Sequence, residues 1–145
     1  MVRHRELLKN RLNTECFLIS GPLIWKRHNL VEKLTLYSHE STLWIYTHLH
    51  TSMMSFSRKG THYQFIQRNY PTEITPEWWI VDLLNYYNVI PLTVSQCQAL
   101  LHEKLSSNQL DPLRLYQLSE MYSDPQSKRI LQSCLVDYLY IKPNI

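Results

Sequence analysis

Three times in the second half of this chain a residue with a short side-chain acceptor stands directly before a proline: Thr75-Pro76, Asp111-Pro112 and Asp124-Pro125. The acceptor can take a hydrogen bond from a backbone N–H of the first helical turn, and proline at the first helical position gives up only an N–H that the helix would not have used. Each pair predicts a helix start. A fourth comes from Thr93-Val94-Ser95-Gln96, which has the spacing of a capping box. Helices are therefore expected over residues 77–88, 94–105, 113–122 and 126–140. The first is apolar nearly all round, with Asp82 and Asn85 as a thin polar stripe, and should be the most buried, with the others around it. The others carry single stripes: Val94, Cys97, Leu101 and Leu105, then Leu115, Leu118 and Tyr122, then Leu131, Cys134, Leu135 and Tyr138.

Before Tyr70-Pro71 the periodicity is different. Residues 3–12 read as a short basic helix, with Leu8 and Leu12 on one side and Arg5, Lys9 and Arg11 mostly on others. Stretches 16–19 and 31–37 suit strands and are separated by the turn-forming pair Gly21-Pro22. Residues 42–50 alternate, placing Leu43, Ile45 and Leu49 on one face and Trp44, Tyr46, His48 and His50 on the other. Stretches 53–57 and 62–67 flank Arg58-Lys59-Gly60-Thr61, where Gly60 can supply the positive φ of a tight hairpin. The expected fold is α+β: a short basic helix, an antiparallel β-meander of four or five strands, and a C-terminal cluster of about four helices. Residues 1–145 are read as one domain, mainly β up to about 70 and mainly α from about 75.

Composition supports a folded chain, with 44% hydrophobic and 19% charged residues. The richest apolar run, Trp78-Trp79-Ile80-Val81, stops at Asp82, far short of the roughly 20 residues a membrane span needs. Lys9 and Arg11 interrupt the apolar region that a secretory signal would carry after its charged start. Cys16, Cys97 and Cys134 are odd in number and sit in apolar patterns, as reduced core thiols do. A cytoplasmic location without membrane association is expected.

The chain has only two glycines, Gly21 and Gly60, too few for a Walker loop or a dinucleotide fingerprint, and no cofactor is expected. His102-Glu103 lacks the second histidine of a zincin and reads as a solvated helix face. No nucleophile elbow or ordered Cys/His signature is present. The one enzymatic hint is His48-Leu49-His50, since alternation along a strand aims both imidazoles at the same side, where they could share a divalent metal. Over these three residues the chain resembles the HUH single-strand nucleases and transposases. That resemblance implies a helix-borne tyrosine nucleophile, which could be any of ten tyrosines; the sequence fixes no third ligand, and only His39 or His62 could neighbour the pair across strands. The plainer reading is two ordinary histidines on an aromatic face.

Charge is uneven. Up to Tyr70 there are ten lysines and arginines against four carboxylates, a net +6, and from Pro71 onward five against eight, a net −3. Arg3, Arg5, Lys9, Arg11, Lys26 and Arg27, with Arg58-Lys59 and Arg68, could neutralise phosphates while Trp44, Tyr46 and Tyr63 stack on bases. The pI of about 8.8 is below that of a dedicated nucleic-acid binder. A helix-turn-helix reading of the second and third C-terminal helices meets a connector, residues 106–111, longer than the usual turn.

The first functional reading is a non-enzymatic protein–protein interaction module, an adaptor, chaperone or regulatory protein, whose partner is another protein with an acidic surface. Its contact residues would be Trp44, Tyr46, His48, Arg58 and Lys59. The alternative is a nucleic-acid-binding regulator using Arg3, Arg5, Lys9, Arg11, Lys26 and Arg27. Third stands a metal-dependent HUH-like nuclease with His48 and His50 as ligands.

Overall fold

The structure, a computed structural model, describes residues 2–30, 41–48, 55–90 and 92–141. Its internal contacts gather into two compact units, Met1–Tyr70 and Pro71–Ile145, so the division falls at the shift in sequence pattern.

The first unit is a mixed α/β layer. Helix α1 (Val2–Leu12) leads into β1 (Leu18–Ser20), α2 (Pro22–Arg27), β2 (Thr42–Thr47), β3 (Ser55–Arg58) and β4 (Thr61–Gln67). The strands form a four-stranded sheet in the order β1-β2-β4-β3. β1 runs antiparallel to β2 and β3 antiparallel to β4, but β2 and β4 are parallel, with Leu43 beside Tyr63 and Ile45 beside Phe65. The sheet is mixed, where an antiparallel meander was expected. The reason lies in the strands' own surfaces. β3 is polar and mostly exposed, which suits an edge, whereas all six residues of β2 are buried. Leu43-Trp44-Ile45-Tyr46 is a near-continuous apolar run of the kind found in strands covered on both faces. The hairpin therefore inserts its second strand beside β2 and leaves its first outside.

Side chains at paired positions share a sheet face, so Ile19, Leu43, Ile45, Phe56, Tyr63 and Phe65 lie on one side and Trp44, Tyr46, Gln64 and Ile66 on the other. α1 covers the first face: Leu8 is fully buried, His4 bonds to Tyr63, and the Arg11 guanidinium lies 4.3 Å from the centre of the Phe56 ring. On the second face Trp25 of α2 meets Trp44 edge-on, with ring centres 5.4 Å apart. α2 itself was read as a turn. Gly21, at φ 106°, makes the bend, and Pro22 then opens a short helix instead of ending one. A Cβ on Gly21 would stand 3.1 Å from Cγ of Trp44, so the glycine also permits this close approach. The expected strand at 31–37 lies outside the described residues.

The second unit is helical: α3 (Pro76–Leu84), α4 (Val94–Ser106), α5 (Pro112–Tyr122) and α6 (Pro125–Ile141). The Thr75 hydroxyl accepts from the Trp78 N–H, the Asp111 carboxylate from the Leu113 N–H, and Thr93 and Gln96 close a reciprocal capping box. Glu77 through Leu84 are all buried. α3 packs on α5 and α6, and α4 packs on α6. α3 ends four residues before the expected 88, and its last turn tightens into i→i−3 bonds from Tyr86 to Leu83 and from Tyr87 to Leu84. Asn85 caps it and serves its neighbours: its amide donates to the Tyr122 carbonyl, while its oxygen accepts from the Asp124 N–H and the Ser127 hydroxyl. Buried Glu77 does the same at the other end of α5, accepting from the Asp111 N–H at 2.8 Å, with Arg114 at 3.5 Å from its second oxygen. The stripe residues Cys97, Leu101, Leu105, Leu115, Leu131, Cys134 and Leu135 are buried, but Val94 is 42% exposed. Cys16, expected as a core thiol, is exposed. Among the described residues no helix is long and apolar enough to cross a membrane.

Candidate functional site

Basic and polar residues of two elements gather where α1 faces the β3–β4 hairpin. Positions 3, 4, 7 and 10 recur on one side of α1 at helical spacing and bring Arg3, His4, Leu7 and Asn10 toward the sheet. Opposite them the two-residue loop Lys59-Gly60 joins β3 to β4, with φ of 50° and 81°, the left-handed pair of a type I′ hairpin. Between the two elements lies a cleft of about 440 Å³, whose far wall is made by Arg58, Lys59, Thr61 and Tyr63.

His4 Nδ1 and the Tyr63 hydroxyl are 2.5 Å apart on the wall of this cleft, and their rings meet edge to face. Burial pushes the His4 pKa down, and the positive charges around it, Arg27 and Arg3 among them, push it the same way. Burial raises the Tyr63 pKa while the Arg58 charge works against the rise. Both groups are thus held neutral at pH 7, inside a rim of permanent positive charge.

Arg3, Arg58 and Lys59 are exposed, and among the described residues no carboxylate lies within ion-pair distance of them. Three other cations of α1 are exposed and contact neighbours away from the cleft lining. Lys9 pairs with Glu15 at 2.8 Å, and this contact raises the Lys9 pKa and lowers that of Glu15. Arg5 lies 4.6 Å from the centre of the Phe17 ring and donates to the Glu15 carbonyl. Arg11 sits over Phe56. Lys26 and Arg27 are exposed at the end of α2.

The expected contact face is divided by this arrangement. Trp44 is 5% exposed and Tyr46 fully buried, so neither is offered to a partner: with both faces of β2 covered, alternation sorts two buried sides. His48 is exposed and stacks on Tyr70 at 4.0 Å. Arg58 and Lys59 remain at the surface and belong to the cleft with Arg3. Of the suggested metal ligands, His50 and His39 lie outside the described residues, and His62 shares a 2.8 Å hydrogen bond with Ser57. Among the described residues no group of three or more His, Cys, Asp or Glu is placed to hold a metal. Asn10, Thr61 and His4 were not singled out from sequence. The one local signal for them was the i, i+1, i+7 spacing of Arg3, His4 and Asn10 on a short basic helix.

Compared with models of known protein families, with curated proteins and with solved structures, the chain finds no significant match.

Proposed function

We propose that the N-terminal unit binds nucleic acid through phosphate contacts in the cleft between α1 and the β3–β4 hairpin, as a recognition module that performs no chemistry on its ligand. One observation carries this: Arg3, Arg58 and Lys59 converge from two elements on one concavity with no carboxylate opposite them among the described residues. Like charges gathered in this way repel one another, and an anion relieves the repulsion. Guanidinium, ammonium, amide and hydroxyl groups are the donors that phosphate oxygens accept from. The protein-contact reading, by contrast, needed Trp44 and Tyr46 as aromatic anchors, and both are core residues.

Fluorescence polarisation with a labelled single-stranded oligonucleotide tests the proposal. Binding should weaken with salt, with a slope of log K against log salt between about −1.4 and −2.1, as expected when two or three phosphate charges are neutralised. The pair Arg58→Glu and Lys59→Glu should reduce affinity at least tenfold while leaving the circular dichroism spectrum unchanged. Absence of binding at low salt rejects the proposal. Poly-glutamate binding as tightly as the oligonucleotide would assign the cleft to an acidic protein instead.

A further inference from the structure

We infer that the cleft is built for a single phosphate monoester, at the end of a nucleic-acid strand or on a nucleotide, and not for a continuous run of backbone phosphates. This rests on reading the cleft as a phosphate site. A strand's backbone needs a row of free cations to follow it. Helix α1 carries enough positive charge to form such a row, but Arg5, Lys9 and Arg11 contact Phe17, Glu15 and Phe56 and do not line the cleft. What α1 and the hairpin bring to the cleft itself, of about 440 Å³, is a point of convergence: Arg3 from one side and Arg58 and Lys59 from the other. That volume is in the range of small-molecule sites, roughly 300–1,000 Å³. A monoester presents about −1.5 to −2 charge and three strong acceptor oxygens, and so matches three convergent cations better than a diester with a single charge.

The backbone at Lys59 points separately to a use for that side chain. Its φ of 50° lies in the left-handed region, where a side chain with a Cβ is disfavoured and where Asn, Asp or Gly ordinarily occupies a type I′ loop. A lysine there weakens the turn locally, and it places an ammonium group on the cleft rim. Gly60 supplies the second positive φ in open space, so its role is conformational alone.

The test compares one 3′-labelled oligonucleotide carrying either a 5′-phosphate or a 5′-hydroxyl, with a nucleoside 5′-monophosphate and inorganic phosphate as competitors. The 5′-phosphate strand should bind at least tenfold more tightly than its hydroxyl counterpart. Lys59→Asn should abolish that preference while the melting temperature stays the same or rises, which a merely structural lysine would not produce. A monophosphate that competes as well as the phosphorylated strand identifies a nucleotide ligand, and one at least tenfold weaker identifies a strand end. Equal binding of the two strands overturns the monoester inference and leaves nucleic-acid binding standing. If neither strand binds but direct calorimetric titration with the monophosphate shows binding, nucleic-acid binding fails and the monoester site survives. If no probe binds, both fail. Retention of the full preference by Lys59→Asn overturns the role given to that residue.

Discussion

Nδ1 of His4 and the hydroxyl of Tyr63 share a hydrogen bond across 2.5 Å, tying α1 to strand β4 at the wall of the basic cleft. Because burial and neighbouring positive charge hold the His4 pKa below its usual value of about 6.5, the unfolded chain takes up a proton here before the folded one does. The His4 contribution to stability is therefore complete above pH 6.5 and lost as pH falls through the depressed pKa. His28, also lowered by burial, acts in the same direction. Urea unfolding at pH 7.5 and at pH 5.5 should show a drop in stability that is smaller in His4→Gln than in the wild type. An equal drop in the two proteins would remove His4 from the account.

Gly21→Ala should destabilise the N-terminal unit by about 1–3 kcal/mol, since the new Cβ meets the Trp44 ring and must also adopt a left-handed φ. Trp44→Ala should cost about 3–5 kcal/mol, the loss typical of a large buried aromatic. Chemical denaturation measures both. A Trp44→Ala protein of unchanged stability that has lost a protein partner would restore the aromatic contact surface.

How much could be read beforehand followed how local each signal was. The starts of α3, α4 and α5 were legible because Thr75, Thr93 and Asp111 act on their own first turn. The β3–β4 hairpin was legible in Gly60 for the same reason. The parallel pairing of β2 with β4 was not, because it depends on which strand can bear exposure, a property of the assembled sheet. Alternation along β2 suggests one wet face, but α1 and α2 lie on opposite faces of the sheet and cover both. Arg3, Arg58 and Lys59 were all named from sequence among the cations that could neutralise phosphates, but not as one site. Their convergence spans some 55 residues of chain, and no spacing rule reaches that far.

Asn85 offers a test of the helical unit. Its side chain serves the last carbonyl of α5 and the first groups of α6, and Asn85→Ala would remove three hydrogen bonds at once, with the Ser127 hydroxyl keeping the Asp124 carbonyl as an acceptor. A loss of about 2–3 kcal/mol is expected by equilibrium unfolding. A loss below about 0.5 kcal/mol would mean that these bonds are readily replaced by water.

The thiols should separate cleanly. Cys97 and Cys134 are buried and their pKa values are raised by burial, that of Cys97 to about 11, whereas Cys16 is exposed. A chromogenic thiol reagent at pH 8 should titrate one thiol in the native protein and three in denaturant. Rapid reaction of two or more native thiols would contradict the packing of α4 on α6.

The central claim, that the α1–hairpin cleft is where a phosphate-bearing ligand binds, is tested most directly by residue-resolved NMR of the full chain titrated with a 5′-phosphorylated oligonucleotide. Amide shifts are expected to concentrate at Arg3, His4, Asn10 and Arg58 through Thr61. Shifts centred instead on the helices between Pro76 and Ile141, or none at saturating ligand, would contradict it.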